Sequence, residues 1–479
     1  MRFPRLSLSP VAWVTAEKVT QQVLWVALFA ILAPILGPEP YGVFSIVMVF
    51  VGFCDFVLGD GAIEALVTSD ELDAAHMATA NLATAVLALA IGLVLFLLGP
   101  LIALAFDDIQ LQWLVWSLLP LPMMSLLAAA PIAILRRGMQ YQRLAIRSIL
   151  GLTVGGLFGI AVALAGAGVW ALALQVLAQR LVEVVIVWFS IPQRFRLGWH
   201  AELFSGMRTV AMNVFAARVM VFGGAQLPRV VVGYVLGPAT LGLFVLANRF
   251  LDIVMTTAVL PRSIVGRIEL RGLTPGSAEF RDRFARMIQD AAVLGFPVLL
   301  GAAVMIPDLF RIWLDQRWLD GIVATQLVLL SGLPIVITYC LDAAFLGAKQ
   351  SSVFKTMATA QTVSLMGVVL CFAPLGLNIM CLALAVRPWL LLPFFLSMLR
   401  RYCRLPVWEV LRLPSWSLAG SVLMTGILSL PFLHPTWLDQ RLDFVALVLI
   451  GMIVYAAFLY RVSRHQLTAA LAGLIAHRP

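Results

Sequence analysis

Leu36 to Phe44 reads LGPEPYGVF, and Leu236 to Phe244 reads LGPATLGLF. Leu, Gly, Pro, Gly and Phe recur at the same offsets, two hundred residues apart. In each copy an apolar run stops at a Gly-Pro pair and another begins at once, so each reads as the short turn of a helical hairpin. Six predicted helices separate the copies. Because six is even, the second half repeats the topology of the first, as parallel repeats about an axis along a membrane normal do.

Outward from these turns, apolar runs of about 20 residues follow one another along the chain. They predict fourteen spans, near 11–35, 41–66, 77–105, 112–135, 148–166, 168–191, 209–236, 239–260, 288–310, 322–346, 356–373, 378–399, 415–433 and 443–460. Of the 479 residues, 62% are hydrophobic and 12% charged, against about 25% charged in a soluble domain. With a mean hydropathy of +0.99 over the whole length, the chain reads as an all-α polytopic membrane protein, which excludes most soluble enzyme classes. The five cysteines show no CxxC and no paired spacing, so they read as small apolar residues rather than disulfides or metal ligands.

Charge placement orients the spans. With the N-terminus cytoplasmic, the cytoplasmic segments carry 24 Lys and Arg, the outer loops 3, and the spans 6. That partition fits an even number of spans with both ends inside. One loop departs from it: TSDELDAAH, Thr68 to His76, is placed inside yet is purely acidic. The first apolar run is span-length and leads into LGPEPYG without a small-residue cleavage site, so it is expected to stay as a helix. The net charge of +9 lies on cytoplasmic loops, where it suits anionic headgroups; nothing points to nucleic acid or to a cofactor.

The segment LGPEPYGVFSIVMVFVGFCDFVLGDGAIEALV, Leu36 to Val67, resembles the second-helix region of Wzx-type polysaccharide flippases. These are the polysaccharide transporters of the multidrug/oligosaccharidyl-lipid/polysaccharide superfamily, with an LGPxxYG turn and an apolar helix ending in an acidic, Gly-rich stretch, here Gly59-Asp60-Gly61. Where many relatives read Asp-Leu-Gly followed by Gln, this chain reads Asp-Gly-Ala with Thr68 following. The resemblance implies a six-helix lobe at 1–206, a second at 207–402, a central cavity between them, and two extra helices with a cytoplasmic tail at 403–479. It also implies carriage of a polyprenyl-diphosphate-linked oligosaccharide across the bacterial inner membrane, towards the periplasmic leaflet. A polysaccharide polymerase and assembly proteins would be its partners.

A charge at mid-bilayer costs about 2.5–3.5 kcal/mol even on a lenient scale, so each must face protein or water. Arg180, Arg218, Arg249 and Arg387 fall near mid-depth on four helices, and Arg229 lies three turns from Arg218 on the same face. Guanidinium forks bind phosphate oxygens in pairs and stay protonated, so these residues are candidates to hold a diphosphate. The alternative is neutralisation: Glu183 and Asp252 stand at i+3 from Arg180 and Arg249. Lys18, with Glu17, Gln21 and Gln22, makes a polar patch on the first span, facing either the cavity or a partner helix. Asp55, Asp60 and Asp342 are candidates for a coupling proton or sodium ion; for Asp60 and Asp342 the competing reading is that they cap helix ends or bond loop backbone near the inner surface.

Pro120, Pro122, Pro131, Pro297, Pro334, Pro388 and Pro393 interrupt spans and supply bends. A membrane polymerase or ligase is disfavoured, because no DxD, HExxH or Ser/His/Asp spacing appears and four of five His fall in cytoplasmic segments. A multidrug cation antiporter of the same superfamily would need an acidic cavity, whereas a peptidoglycan-lipid flippase would share a basic one. The topology is open to direct measurement by single-cysteine labelling. Ser277→Cys should react only with reagent reaching the cytoplasm, and Gln110→Cys with reagent added outside; the opposite pattern at either position refutes the map.

Overall fold

The computed structural model describes residues 10–54, 63, 66, 74–191, 198–430 and 440–462. Side chains at 10–12, 74, 203, 205–207, 209–211, 213–221, 223–225, 440, 441 and 462 are outside that description. Every regular element among the described residues is helical: α1 (Pro10–Leu36), α2 (Pro38–Cys54), α3 (Ala74–Phe106), α4 (Ile109–Ser117), α5 (Pro120–Arg137), α6 (Tyr141–Leu164), α7 (Trp170–Phe189) and α8 (Ala201–Val254), then α9 (Leu260–Glu269), α10 (Ala278–Trp313), α11 (Ile322–Gly347), α12 (Ser351–Phe372), α13 (Leu377–Cys403), α14 (Val407–Arg412), α15 (Ser415–Leu428) and α16 (Gln440–Val462). Eleven helical stretches among the described residues are long and apolar enough to cross a bilayer, and α2 is a shorter apolar helix. One of the eleven, Gln226–Glu269, runs through a kink at Gly237, where the backbone turns to φ 83 and ψ 169. The chain packs as two compact units, Met1–Gly242 and Leu243–Pro479.

The repeated turn recurs in geometry as well as in letters. Gly37 and Gly237 both take positive φ, 79 and 83, a conformation that costs a residue with a Cβ but not glycine. Each is followed by a proline whose missing N–H is no loss at the first position of a helix. Inside the first unit the two turns also pack on each other. A Cβ on Gly42 would lie 1.7 Å from the Pro238 carbonyl oxygen, and one on Gly242 would lie 1.9 Å from that of Pro38. The contact is reciprocal, so the conserved offsets place a glycine of each copy against the proline of the other.

Glycine also sets the packing of α6. Gly151, Gly155 and Gly159, spaced four apart, face Glu183, Gln179 and Gln175 of α7, and Gly156 faces Leu28 of α1. This small-xxx-small stripe lets two apolar helices approach closely and brings a polar column of α7 into the contact.

Prolines inside spans free carbonyls four residues earlier, and no water is present at that depth to take them up. Three are answered by side chains of neighbouring helices. Pro100 frees Phe96, whose carbonyl accepts the Trp116 indole N–H at 3.0 Å. Pro297 frees Val293, which accepts the Tyr455 hydroxyl at 3.0 Å. Pro307 frees Ala303, which accepts the Gln326 amide at 2.9 Å. Pro261 is accommodated differently. A π-turn at Met255–Val259 routes the Leu260 N–H to the Met255 carbonyl, while Thr256 and Thr257 hydroxyls bond back to the carbonyls of Asp252 and Ile253 at 2.7 and 2.6 Å.

All five cysteines are free, with Cys340, Cys381 and Cys403 buried and Cys371 exposed. In purified protein, Gly42→Ala and Gly242→Ala should each lower the thermal midpoint in detergent sharply, because the obstructing atoms are backbone. Gly426→Ala, with nothing within 4 Å of its Cβ, is the control and should leave the midpoint within a degree or two. Equal midpoints for all three would show that the turns are not held by this contact.

Candidate functional site

Of the residues singled out in the sequence, Asp55 and Asp60 lie outside the described residues, as does the side chain of Arg218. In the first unit, Arg180 donates to Glu183 at 3.3 Å, the pairing its i+3 spacing anticipates. Glu183 is buried, 6% exposed, and also accepts the Gln179 amide at 2.9 Å. Arg147 of α6 lies within electrostatic range of Glu183, Arg180 and Glu17. Sequence reading assigned Arg147 to a cytoplasmic loop because its apolar span began one residue later; the helix begins at Tyr141 and carries it into the network. Gln21 donates to Glu17 at 3.4 Å on α1, while Lys18 is exposed. Arg229 donates to Gln226 at 2.7 Å.

In the second unit, Arg249 is half-buried and in electrostatic range of exposed Asp252. Arg387 differs. It is half-buried on α13, and its Nη1 donates to the Gln361 carbonyl at 2.7 Å and the Ser364 hydroxyl at 3.1 Å of α12. No carboxylate among the described residues pairs with it, and its Nε is buried without a hydrogen-bond partner. Two neutral oxygens thus hold one arm of the fork, and no carboxylate among the described residues offsets the positive charge. Asp342 lies within α11, and its Oδ1 is likewise buried without a partner. Nothing at Asp342 fits a helix cap, because it stands well before Gly347, where α11 ends.

The second unit also holds an apolar cavity of about 460 Å³. Val293, Pro297 and Met305 of α10 line it with Met424 of α15 and Val448 and Tyr455 of α16. Its wall includes both partners of the Tyr455 to Val293 bond, so a proline-kinked span and the C-terminal helices share one apolar surface.

The family model described as "Polysaccharide biosynthesis protein" matches residues 31–323, more than half of the chain. The chain belongs to this family. It is 26% identical over 321 residues to the succinoglycan biosynthesis transport protein ExoT of Rhizobium meliloti (strain 1021), a match covering 63% of this chain and 61% of that relative's length. Two solved structures share the fold. A lipid II flippase MurJ in an inward closed conformation superposes with a TM-score of 0.73 at 15% identity, over 95% of this chain and 99% of that one. An inward-facing multidrug resistance MATE family transporter of the MOP superfamily superposes with a TM-score of 0.58 at 15% identity, over 82% and 99%. The chain is a multi-pass membrane protein of this family, and its fold is the one that these two structures share.

The Arg180 and Glu183 pair gives the network a measurable signature. Glu183→Ala, which strands a cation inside α1, α6 and α7, should cost about 3 kcal/mol. The double variant Arg180→Ala/Glu183→Ala should recover part of it. A double-mutant cycle on thermal midpoints checks this, and strict additivity would show that the two do not interact.

Proposed function

We propose that this protein is an alternating-access flippase that carries a polyprenyl-diphosphate-linked oligosaccharide from the cytoplasmic to the periplasmic leaflet of the bacterial inner membrane. Fourteen crossings and cytoplasmic termini belong to this reading, as do lobes at 1–206 and 207–402. Family membership and the transporter fold support transport in polysaccharide synthesis. The observation that carries the choice of cargo is Arg387. A guanidinium kept within a spanning helix without a carboxylate is costly unless an anion meets it in some state of the cycle. The diphosphate of a lipid-linked sugar is the portion that hydrocarbon cannot solvate, and a guanidinium fork is shaped to take two of its oxygens.

The cargo's other end is hydrocarbon, and the apolar cavity beside α10, α15 and α16 offers part of a prenyl chain a dry wall within one unit. Arg218, Arg249, Arg229, Arg180 and Lys18 are further contributors to anion binding, with Arg180 tied most firmly to a structural partner. Asp342 is the carboxylate best placed to take up a coupling proton or sodium ion, since no donor satisfies its Oδ1; Asp55 and Asp60 complete the candidates. No step of bond making is assigned to the chain.

Removing the protein should abolish the exported glycan and leave its lipid-linked precursor on the inner leaflet, with peptidoglycan synthesis unchanged. Arg387→Ala should reproduce the export defect at normal protein abundance. The loss expected is about 10-fold to 100-fold in rate, as for one charge-assisted bond of about 1.5–3 kcal/mol. Lys should rescue only partly, because it keeps the charge and loses the planar fork. Radiolabelled precursor and surface glycan are the readouts. Export at the normal rate in an Arg387→Ala/Arg218→Ala/Arg249→Ala variant would overturn the assignment of these cations.

A further inference from the structure

Helix α9 follows the π-turn at the end of a membrane-spanning stretch and has two unlike faces. Its inner face is clamped. A Cβ on Gly266 would lie 2.1 Å from the Met287 sulfur, and Leu270 lies against Gly347. At its edge, Arg262 is held by Glu269 at 3.2 Å and Asp290 at 2.8 Å.

Its outer face carries Ile264, Val265 and Ile268, exposed by 53%, 38% and 69%. Beside them stand two exposed arginines, Arg267 on the helix and Arg271 in the turn just past its end at Glu269, where the Arg271 N–H bonds the Ile268 carbonyl at 3.1 Å. Two neighbouring arginines are committed: Arg283 pairs with Glu279 at 2.5 Å and Arg281 with Glu409 at 3.7 Å. Arg267 and Arg271 pair with no carboxylate among the described residues.

An exposed aliphatic triad on a short helix continuous with a span belongs at the level where acyl chains meet headgroups. One arginine in the last turn of the helix and one in the turn that follows it sit at the end of that triad, where both reach the headgroup layer and can bracket one phosphate. A zwitterionic headgroup would bring its own cation towards the two guanidinium groups, and an anionic one would not. We propose that the outer face of α9 seats an anionic phospholipid of the surrounding bilayer. Arg267 and Arg271 hold its phosphate, and Ile264, Val265 and Ile268 lie along its acyl chains. This surface is separate from the cargo reading and does not depend on Arg387.

Full-length protein in nanodiscs tests it. With the five native cysteines replaced by serine, a fluorophore on Val265→Cys is quenched by brominated phosphatidylglycerol or, at equal mole fraction, by brominated phosphatidylcholine. Phosphatidylglycerol should quench preferentially. Arg267→Gln or Arg271→Gln should weaken that preference by about 5-fold each, and the double variant should quench equally with both lipids. Native mass spectrometry of the unmodified chain, retaining phosphatidylglycerol over phosphatidylcholine, gives the same answer without cysteine replacement. Equal quenching and equal retention in the parent overturn the proposal, as does a preference that survives the double variant. Inorganic phosphate that removes the preference at constant ionic strength would make the free anion, and not the lipid, the occupant.

Discussion

A backbone carbonyl freed inside a bilayer has no water to turn to, and this constraint shapes much of the molecule. Each proline within a span removes one N–H, and the orphaned oxygen four residues back has to find a donor elsewhere. At Phe96, Val293 and Ala303 the donor is a side chain of another helix, Trp116, Tyr455 and Gln326 respectively. These three bends are therefore not loose joints. Each is a docking point that ties a kinked helix to a neighbour, and Tyr455 ties the final described helix to α10. Before Pro261 the helix instead changes its own register into a π-turn.

Glycine does the complementary work. Along α6 it removes side chains where α7 has to come close, and in the two Gly-Pro turns it supplies the positive φ that reverses the chain. The reciprocal contact of Gly42 with Pro238 and Gly242 with Pro38 explains why two glycines of each motif recur. One makes the turn; the other leaves room for the opposite turn. A pair of hairpins so placed is a repeat maintained by contact between its copies.

The buried charges divide by how they are satisfied. Glu183 gathers Arg180, Gln179 and the nearby Arg147 into a network whose charges largely cancel, and such a group holds helices together. Among the described residues Arg387 is bound only by neutral oxygens, the Gln361 carbonyl and the Ser364 hydroxyl, and no carboxylate pairs with it. The distinction lies in which atoms meet the guanidinium, and depth in the membrane alone does not reveal it.

What the sequence by itself determined was the all-helical membrane class of fold and the repeated turn, and it offered the i+3 pairing of Arg180 as one of two open readings. All of these follow from short-range rules: run length against bilayer thickness, glycine and proline chemistry, and helical spacing. The role of Arg147 escaped because apolar run length marks where hydrocarbon begins, and the helix itself starts earlier at Tyr141. Tertiary structure alone decided the rest. Tyr455 and Val293 are 162 residues apart, and Arg387 meets Gln361 and Ser364 across a helix boundary. Such partners are chosen by how helices rotate against one another, and that rotation is set jointly by all the packing contacts, glycine grooves and orphaned carbonyls along their length.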